Sequence, residues 1–172
     1  MMTAAGVLEV LDRLEIAGIE SWLDGGWGVD ALLGEQTRPH KDLDLIARVD
    51  DVAEMRRILA GDGFLLVSGE PGSNFVLRDA GGREIDVHPV RFDDDGNGIY
   101  RMENGEDWEF PADGFTGTGR VGGREVRCLT ADVQMVDHST GYEPGDTDFH
   151  DMRLLNARFG TRLLPPFDGP RP

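Results

Sequence analysis

The chain of 172 residues is short of cysteine and of basic charge. It has one cysteine, Cys128, and 17 lysines and arginines against 33 aspartates and glutamates. A single thiol excludes an intrachain disulfide and cannot build a thiolate metal cage. The formal net charge of −16 argues against a nucleic-acid duplex as the main partner, because phosphate-dominated binding needs a basic surface. A nucleotide carried with a divalent cation is not excluded, since the metal neutralises part of the phosphate charge. Such charge also attracts a cationic or amine-bearing small molecule, although solubility alone is its commoner reason. Long apolar runs are missing as well, so no segment is built to span a bilayer. The opening MMTAAGVLEVLDRLEIAG carries acids and lacks a basic start followed by an apolar core. It reads as an amphipathic helix and not as a signal peptide. Together these features favour the cytoplasm.

What is present suits a soluble globular protein, with 39% apolar and 8% aromatic residues. The length allows one compact domain with a real core and a small helical extension. The pattern predicts a helix over 3–17 ended by Gly18, a short strand over Ile19 to Leu23, and a helix over Trp27 to Leu33 stopped by Gly34. Asp42 to Arg48 alternates as a strand, with Asp42, Asp44 and Ile46 on one face and Leu43, Leu45 and Ala47 on the other. Asp50-Asp51 starts a helix over Val52 to Leu59. Strands follow over Phe64 to Val67, Asn74 to Arg78 and Glu84 to Val90. Residues 93–98 read as a loop, and 107–123, rich in glycine, as irregular structure or short hairpins covering a site. A strand over Arg124 to Leu129 leads, through a Thr130 cap, to a helix over Ala131 to Ser139. After a loop from Gly141 to Gly145 comes a helix over Asp146 to Phe159, then a frayed tail from Leu164 onward. No repeat or linker divides the chain.

The chemistry concentrates between Trp22 and Ile46. Carboxylates at i and i+2 on a strand share a face, and Asp42 and Asp44 are such a pair. Buried together they repel, so a divalent cation is their natural partner, and hard oxygen ligands favour magnesium. Asp86, in an apolar strand of its own, is a third acid. Three acids on neighbouring strands can hold one or two metals and leave one as a general base. The doublet Gly25-Gly26 permits close backbone approach, and the N–H groups of the helix after it suit phosphate oxygens. The combination is a layout for in-line phosphoryl or nucleotidyl transfer.

GGWGVDALLG, then HKDLDL, then EIDVHPV resemble the nucleotidyltransferase superfamily related to polymerase beta. More narrowly, the chain is similar to the small antibiotic nucleotidyltransferases that modify lincosamides and aminoglycosides. WLDGGWGVD, the spaced Arg38, His40, Asp42 and Asp44, and HSTGYEPGDTDFHD most resemble the lincosamide branch. The resemblance implies an α/β (α+β) nucleotidyltransferase fold, a twisted mixed sheet flanked by helices. Residues 1–129 would form the nucleotidyltransferase domain, and 130–172 a C-terminal helical extension packed on it. It implies transfer of a nucleoside monophosphate, AMP from ATP, to a hydroxyl of a small antibiotic, with one or two Mg2+ ions and release of pyrophosphate.

On this resemblance Gly25 and Gly26 match the phosphate-binding doublet, although the wider superfamily often has serine second. Asp42 and Asp44 match the magnesium ligands. Asp86 matches the third acid, which activates the acceptor hydroxyl and can touch a metal. Arg38 and His40 are candidates for phosphate or metal-site support, with His40 equally readable as an ordinary histidine hydrogen-bonded at a strand start. Arg153 stands where a phosphate-neutralising lysine is expected. The family contains monomers and dimers, and in a homodimer one chain could complete the other's acceptor site.

Other readings compete. Asp30 suits a cap or salt bridge as well as a ligand contact. Trp27, Trp108 and Tyr142 suit stacking on a base or antibiotic ring, or packing in core or lid. His88, His138 and His150-Asp151 suggest a metallohydrolase, which would need several histidines converging and would leave the doublet unused. Asp93, Asp95, Asn97 and Gly98 imitate a calcium loop but lack the bidentate glutamate at its end, so a polar turn is the better account. Cys128 reads as a small core residue. The same transfer chemistry on an aminoglycoside, a protein or an RNA end is a rival, as is a nucleotide-binding module without turnover.

Overall fold

Thr3 caps helix α1 (Ala4–Ile16), its hydroxyl accepting from the Gly6 N–H at 3.2 Å. Val7, Val10, Leu11 and Leu14 lie on its inner face and are buried. The chain then turns at Gly18, with φ +74, into strand β1 (Ser21–Asp24). The structure is a computed structural model that describes residues 1–102, 104–140 and 142–169.

Helix α2 (Gly25–Leu33) follows without a loop and closes on Gly34, in the left-handed region at φ 79. Strand β2 (Asp42–Arg48), helix α3 (Val52–Gly61) and strands β3 (Leu65–Gly69), β4 (Phe75–Arg78) and β5 (Glu84–Phe92) come next. The hairpin β6 (Gly98–Arg101) and β7 (Asp107–Phe110) leads to a short 3-10 turn over Ala112–Thr116. Strands β8 (Thr118–Val121) and β9 (Arg124–Arg127) precede helices α4 (Ala131–His138) and α5 (Asp146–Phe159).

The main sheet is mixed, ordered β1-β2-β5-β4-β3, with β6 joined to β5 and β7 to β6. Strands β2 and β5 run parallel, and the other pairs are antiparallel. Strand β5 changes partner along one edge: Glu84 to Val87 pair with β4, and Val90 to Phe92 with β6. Strands β8 and β9 form a separate ribbon. Its Gly119 lies so close to the Ala31 backbone that no Cβ fits.

The alternation read in β2 sorts its residues as expected. Leu43, Leu45 and Ala47 enter the main core with α1, α3 and α2, whereas Ile46 joins Trp22, Val90 and Phe110 on the opposite face. A third apolar cluster, with Val29, Met135, Phe149, Met152, Leu155 and Phe167, seats α4 and α5 on α2. That cluster overturns the frayed tail. Phe167 is 1% exposed and meets Phe149 edge-on with centroids 5.0 Å apart. An apolar ring that close to the core gains enough from burial to fix the chain, and the expectation of fraying overlooked it. Gly141, at the head of the expected loop, and the last residues of the tail, 170–172, lie outside the described residues.

Candidate active site

Strand register builds the floor of the site. The antiparallel β1–β2 pair sets Asp24 beside Asp44, and the parallel β2–β5 pair sets Asp44 beside Asp86. Adjacent strands are about 4.8 Å apart, so these aspartates cross three strands as one row of carboxylates. Asp42 shares the Asp44 face one step along β2, where it pairs with Glu84. The sequence reading marked Asp42, Asp44 and Asp86 but missed Asp24. The structure brings Asp44 and Asp86 together and adds Asp24, whose Oδ1 accepts from the Gly25 N–H at 2.8 Å.

The glycine doublet is the first turn of α2 itself. Gly25 has φ +55, and a Cβ there would collide with the Asp44 carboxylate. A Cβ on Gly26 would lie 2.5 Å from both Arg38 Nη2 and His40 Nδ1. The serine common in the wider superfamily therefore has no room at Gly26. The helix start supplies N–H groups without intrahelical partners, the kind of donor that binds phosphate.

Asp24, Gly25, Gly26, Arg38, Asp44 and Asp86 line a cleft of about 660 Å³, whereas Asp42 and His40 are outside its lining. Tyr100, Trp108 and Phe110 of the β6–β7 hairpin form an aromatic wall, and Asp137, Tyr142 and Asp148 come from the side of α4 and α5. The Tyr142 hydroxyl donates to Asp148 Oδ1 at 2.8 Å. Burial, and then the neighbouring Asp42, Asp24, Asp86 and Asp137, push the Asp44 carboxyl well above its ordinary range. Asp137 is pushed up as well, by burial first and then by Asp24. Acids held this way resist losing their protons unless a cation arrives. The donors present fit one: ligand atoms of Asp44, Asp86 and His88 all lie within 4.8 Å of one another.

Other marked residues brace the floor from behind. Arg38 reaches the cleft wall but grips Asp151 of α5 with two nitrogens, Nε to Oδ1 at 3.0 Å and Nη2 to Oδ2 at 2.6 Å. His40 is buried against Asp30, with Nε2 on Oδ2 in a short contact. Asp30 Oδ1 also accepts from Thr37 Oγ1 at 2.6 Å and Thr37 N at 3.1 Å. Trp27 is buried and its ring lies 4.6 Å from that of His40. Arg153 is exposed, with its guanidinium 5.9 Å from the Phe149 ring, and does not line the cleft. Residues two apart on a helix point about 200° apart, so a buried Asp151 turns Arg153 outward.

The histidines do not converge. His138 is buried with Nδ1 2.9 Å from the Gln134 carbonyl, and His150 is exposed. Asp93 accepts from the backbone of Asp95 and Asn97 and from the Asn97 amide, which makes a polar turn. Cys128 is buried, and burial pushes its thiol up to about 12.

Comparison with known proteins points the same way. Residues 6–155 match the model of the aminoglycoside-2''-adenylyltransferase family. A lincosamide resistance protein of Staphylococcus haemolyticus is 30% identical over 91% of this chain and 96% of its own. A 2''-aminoglycoside nucleotidyltransferase of Klebsiella pneumoniae is 29% identical over 76% of this chain and 69% of its own. The crystal structure of the lincosamide antibiotic adenylyltransferase LnuA with lincomycin bound superposes with a TM-score of 0.77 at 28% identity, covering 88% of this chain and 94% of LnuA. The structure of ANT(2'')-Ia with adenylyl-2''-tobramycin shares the fold, with a TM-score of 0.71 at 21% identity over 90% of this chain and 87% of that one. With a row of acids on the sheet, a glycine doublet opening a helix and these likenesses over most of its length, the chain belongs to the aminoglycoside-2''-adenylyltransferase family of nucleotidyltransferases.

Proposed function

We propose that the protein transfers AMP from ATP to a hydroxyl of a lincosamide-type antibiotic and releases pyrophosphate. The observation that carries this is the alignment of Asp44 with Asp86 across paired strands, beside the glycine doublet. Gly25 and Gly26 receive phosphate oxygens through the backbone at the start of α2. Asp86 takes the proton as the acceptor oxygen forms its bond to the α-phosphorus, and the bond to pyrophosphate breaks on the opposite side. Asp42, Asp44 and Asp86 are the residues that would hold Mg2+, which neutralises triphosphate charge when bound. Arg38, tied to Asp151, sits at the phosphate side as a fixed positive group. Residues 1–129 act as the transferase unit, and the helices beyond close the acceptor side.

The lincosamide acceptor is favoured because that relative aligns over 96% of its length. The aminoglycoside reading is kept by the family model that matches residues 6–155. The net charge of −16 disfavours RNA as acceptor. No helix among the described residues is long and apolar enough to cross a membrane, and with one buried thiol the cytoplasm is the compartment we infer. The family contains monomers and dimers, and the mass in solution distinguishes the two for this chain.

The test is pyrophosphate release from ATP and Mg2+ with a panel of lincosamides and aminoglycosides, followed by mass spectrometry of each acceptor. One added AMP on a lincosamide is expected. Addition to an aminoglycoside alone moves the assignment to the second reading, and no addition to any acceptor overturns both.

A further inference from the structure

The sequence marked Asp42 as the third donor beside Asp44 and Asp86, whereas the donor atoms that the described residues bring within 4.8 Å of one another belong to Asp44, Asp86 and His88. The two additions lie on opposite sides of the shared pair. Along the parallel β2–β5 ladder the register runs Asp42 with Glu84, Asp44 with Asp86, and Ile46 with His88. Asp42 is therefore one step below the Asp44–Asp86 rung, and His88 one step above it. Side chains two apart on a strand share a face, so His88 rises over the same surface as Asp86. Its Nε2 is 3.9 Å from Asp86 Oδ1. Cis and trans ligands of a six-coordinate ion with bonds of about 2.1 Å are separated by roughly 3 and 4.2 Å, so this pair needs little adjustment to share one ion. Tyr100 meets the His88 ring edge-on with centroids 5.5 Å apart, which holds the imidazole at the cleft.

We propose that His88 is a metal ligand, and that the cleft offers two unlike cation positions sharing Asp44 and Asp86. The lower one, completed by Asp42, has only carboxylate oxygens from the protein and suits Mg2+. The upper one, completed by the His88 imidazole, has a mixed nitrogen and oxygen set that suits Mn2+, Co2+ or Zn2+ better than Mg2+. The sites then differ in the ion they select, and the upper one adjoins Tyr100 of the aromatic wall. This inference rests on the metal-dependent reading above, and adds to it the identity of one donor and a difference between the ions.

Metal-free protein titrated with Mn2+ alone tests it without any turnover. Pulsed electron paramagnetic resonance of bound Mn2+ detects a coordinated nitrogen directly in the wild-type protein. Nitrogen coupling is expected in the wild type and in Asp42→Asn, and is expected to vanish in His88→Gln but persist in His138→Gln. His88→Gln should also weaken Mn2+ binding at least tenfold while Mg2+ binding stays within about twofold. Bound Mn2+ without nitrogen coupling in the wild type, yet lost in Asp44→Asn, overturns the His88 ligand and leaves the carboxylate metal site standing. Mn2+ and Mg2+ binding that is unchanged in Asp44→Asn overturns both readings. Circular dichroism of each variant confirms the fold, and the wild-type spectrum needs no variant.

Discussion

The molecule handles its acids in two opposite ways. On the face away from the cleft, a groove of about 480 Å³ runs between the end of α1, the start of β1 and the β8–β9 ribbon. There Arg124 binds both Asp12 and Glu15, and Glu20 meets Arg127 Nη1 at 2.9 Å and Arg48 Nη2 at 3.4 Å. The cleft gathers Asp24, Asp44, Asp86, Asp137 and Asp148, and among its described lining residues Arg38 is the only arginine or lysine. That arginine is held by Asp151. The groove is thus electrostatically finished by the chain itself, while the cleft is left for a ligand to finish. Acids gathered against their own repulsion are a cost to folding, and such groups concentrate where function requires them.

The sharpest way to break this contrast is to remove one carboxylate from the cleft. Asp44→Asn should lower nucleotide transfer by about a thousandfold, several kcal/mol of lost charge stabilisation, yet leave the metal-free protein as stable or more so. Kinetics and thermal melting read the two together, and a large loss of stability would mean that the cleft acids are structural. Gly25→Ala comes next. Its Cβ displaces the Asp44 carboxylate, so turnover should fall on the order of a hundredfold. Asp151→Asn acts on stability instead, since Arg38 loses a buried partner, and denaturant melts should show a loss of roughly 3 kcal/mol.

The acidity of Asp44 gives a pH test. Its folded-state carboxyl is raised above the unfolded value, so its protonated form favours folding. That contribution is complete below the ordinary carboxylate range and is lost as pH rises through the raised value. Melting with and without Mg2+ should show little effect of the ion in acid and a growing stabilisation toward neutrality. A stabilisation that shrinks with rising pH would contradict the site. The smallest effect belongs to the groove. Glu20→Gln loosens partly exposed pairs, so it should cost under about 1 kcal/mol and leave turnover unchanged.

Much of the scaffold was legible from the chain. The alternation in Asp42–Arg48 gives β2 as it is found, and the helix expected over Asp146 to Phe159 is α5. Strand β6 is not legible because it is four residues long and follows a glycine-bearing polar turn, whereas β7 falls in the stretch read as irregular structure or short hairpins. In the site, Asp42, Asp44 and Asp86 stand out by local pattern alone. Asp24 and Asp137 do not, because what matters about them is a neighbour: Asp24 needs the β1–β2 register, and Asp137 needs α4 packed over the cleft. Arg38 and His40, marked as candidates for phosphate or metal-site support, lie beside Gly26, and their partners Asp151 and Asp30 emerge only in three dimensions. The direction of Arg153 was available from helical phase once Asp151 was known to face inward.

The change of partner along β5 carries one more consequence. One stretch of this strand holds Asp86 in register with β2 and β4, and the next hangs the β6–β7 hairpin from Val90, Arg91 and Phe92. The acids and the aromatic wall of the cleft are thereby mounted on different lengths of a single strand. Substitutions in the hairpin can reshape that wall while the acids keep their rung.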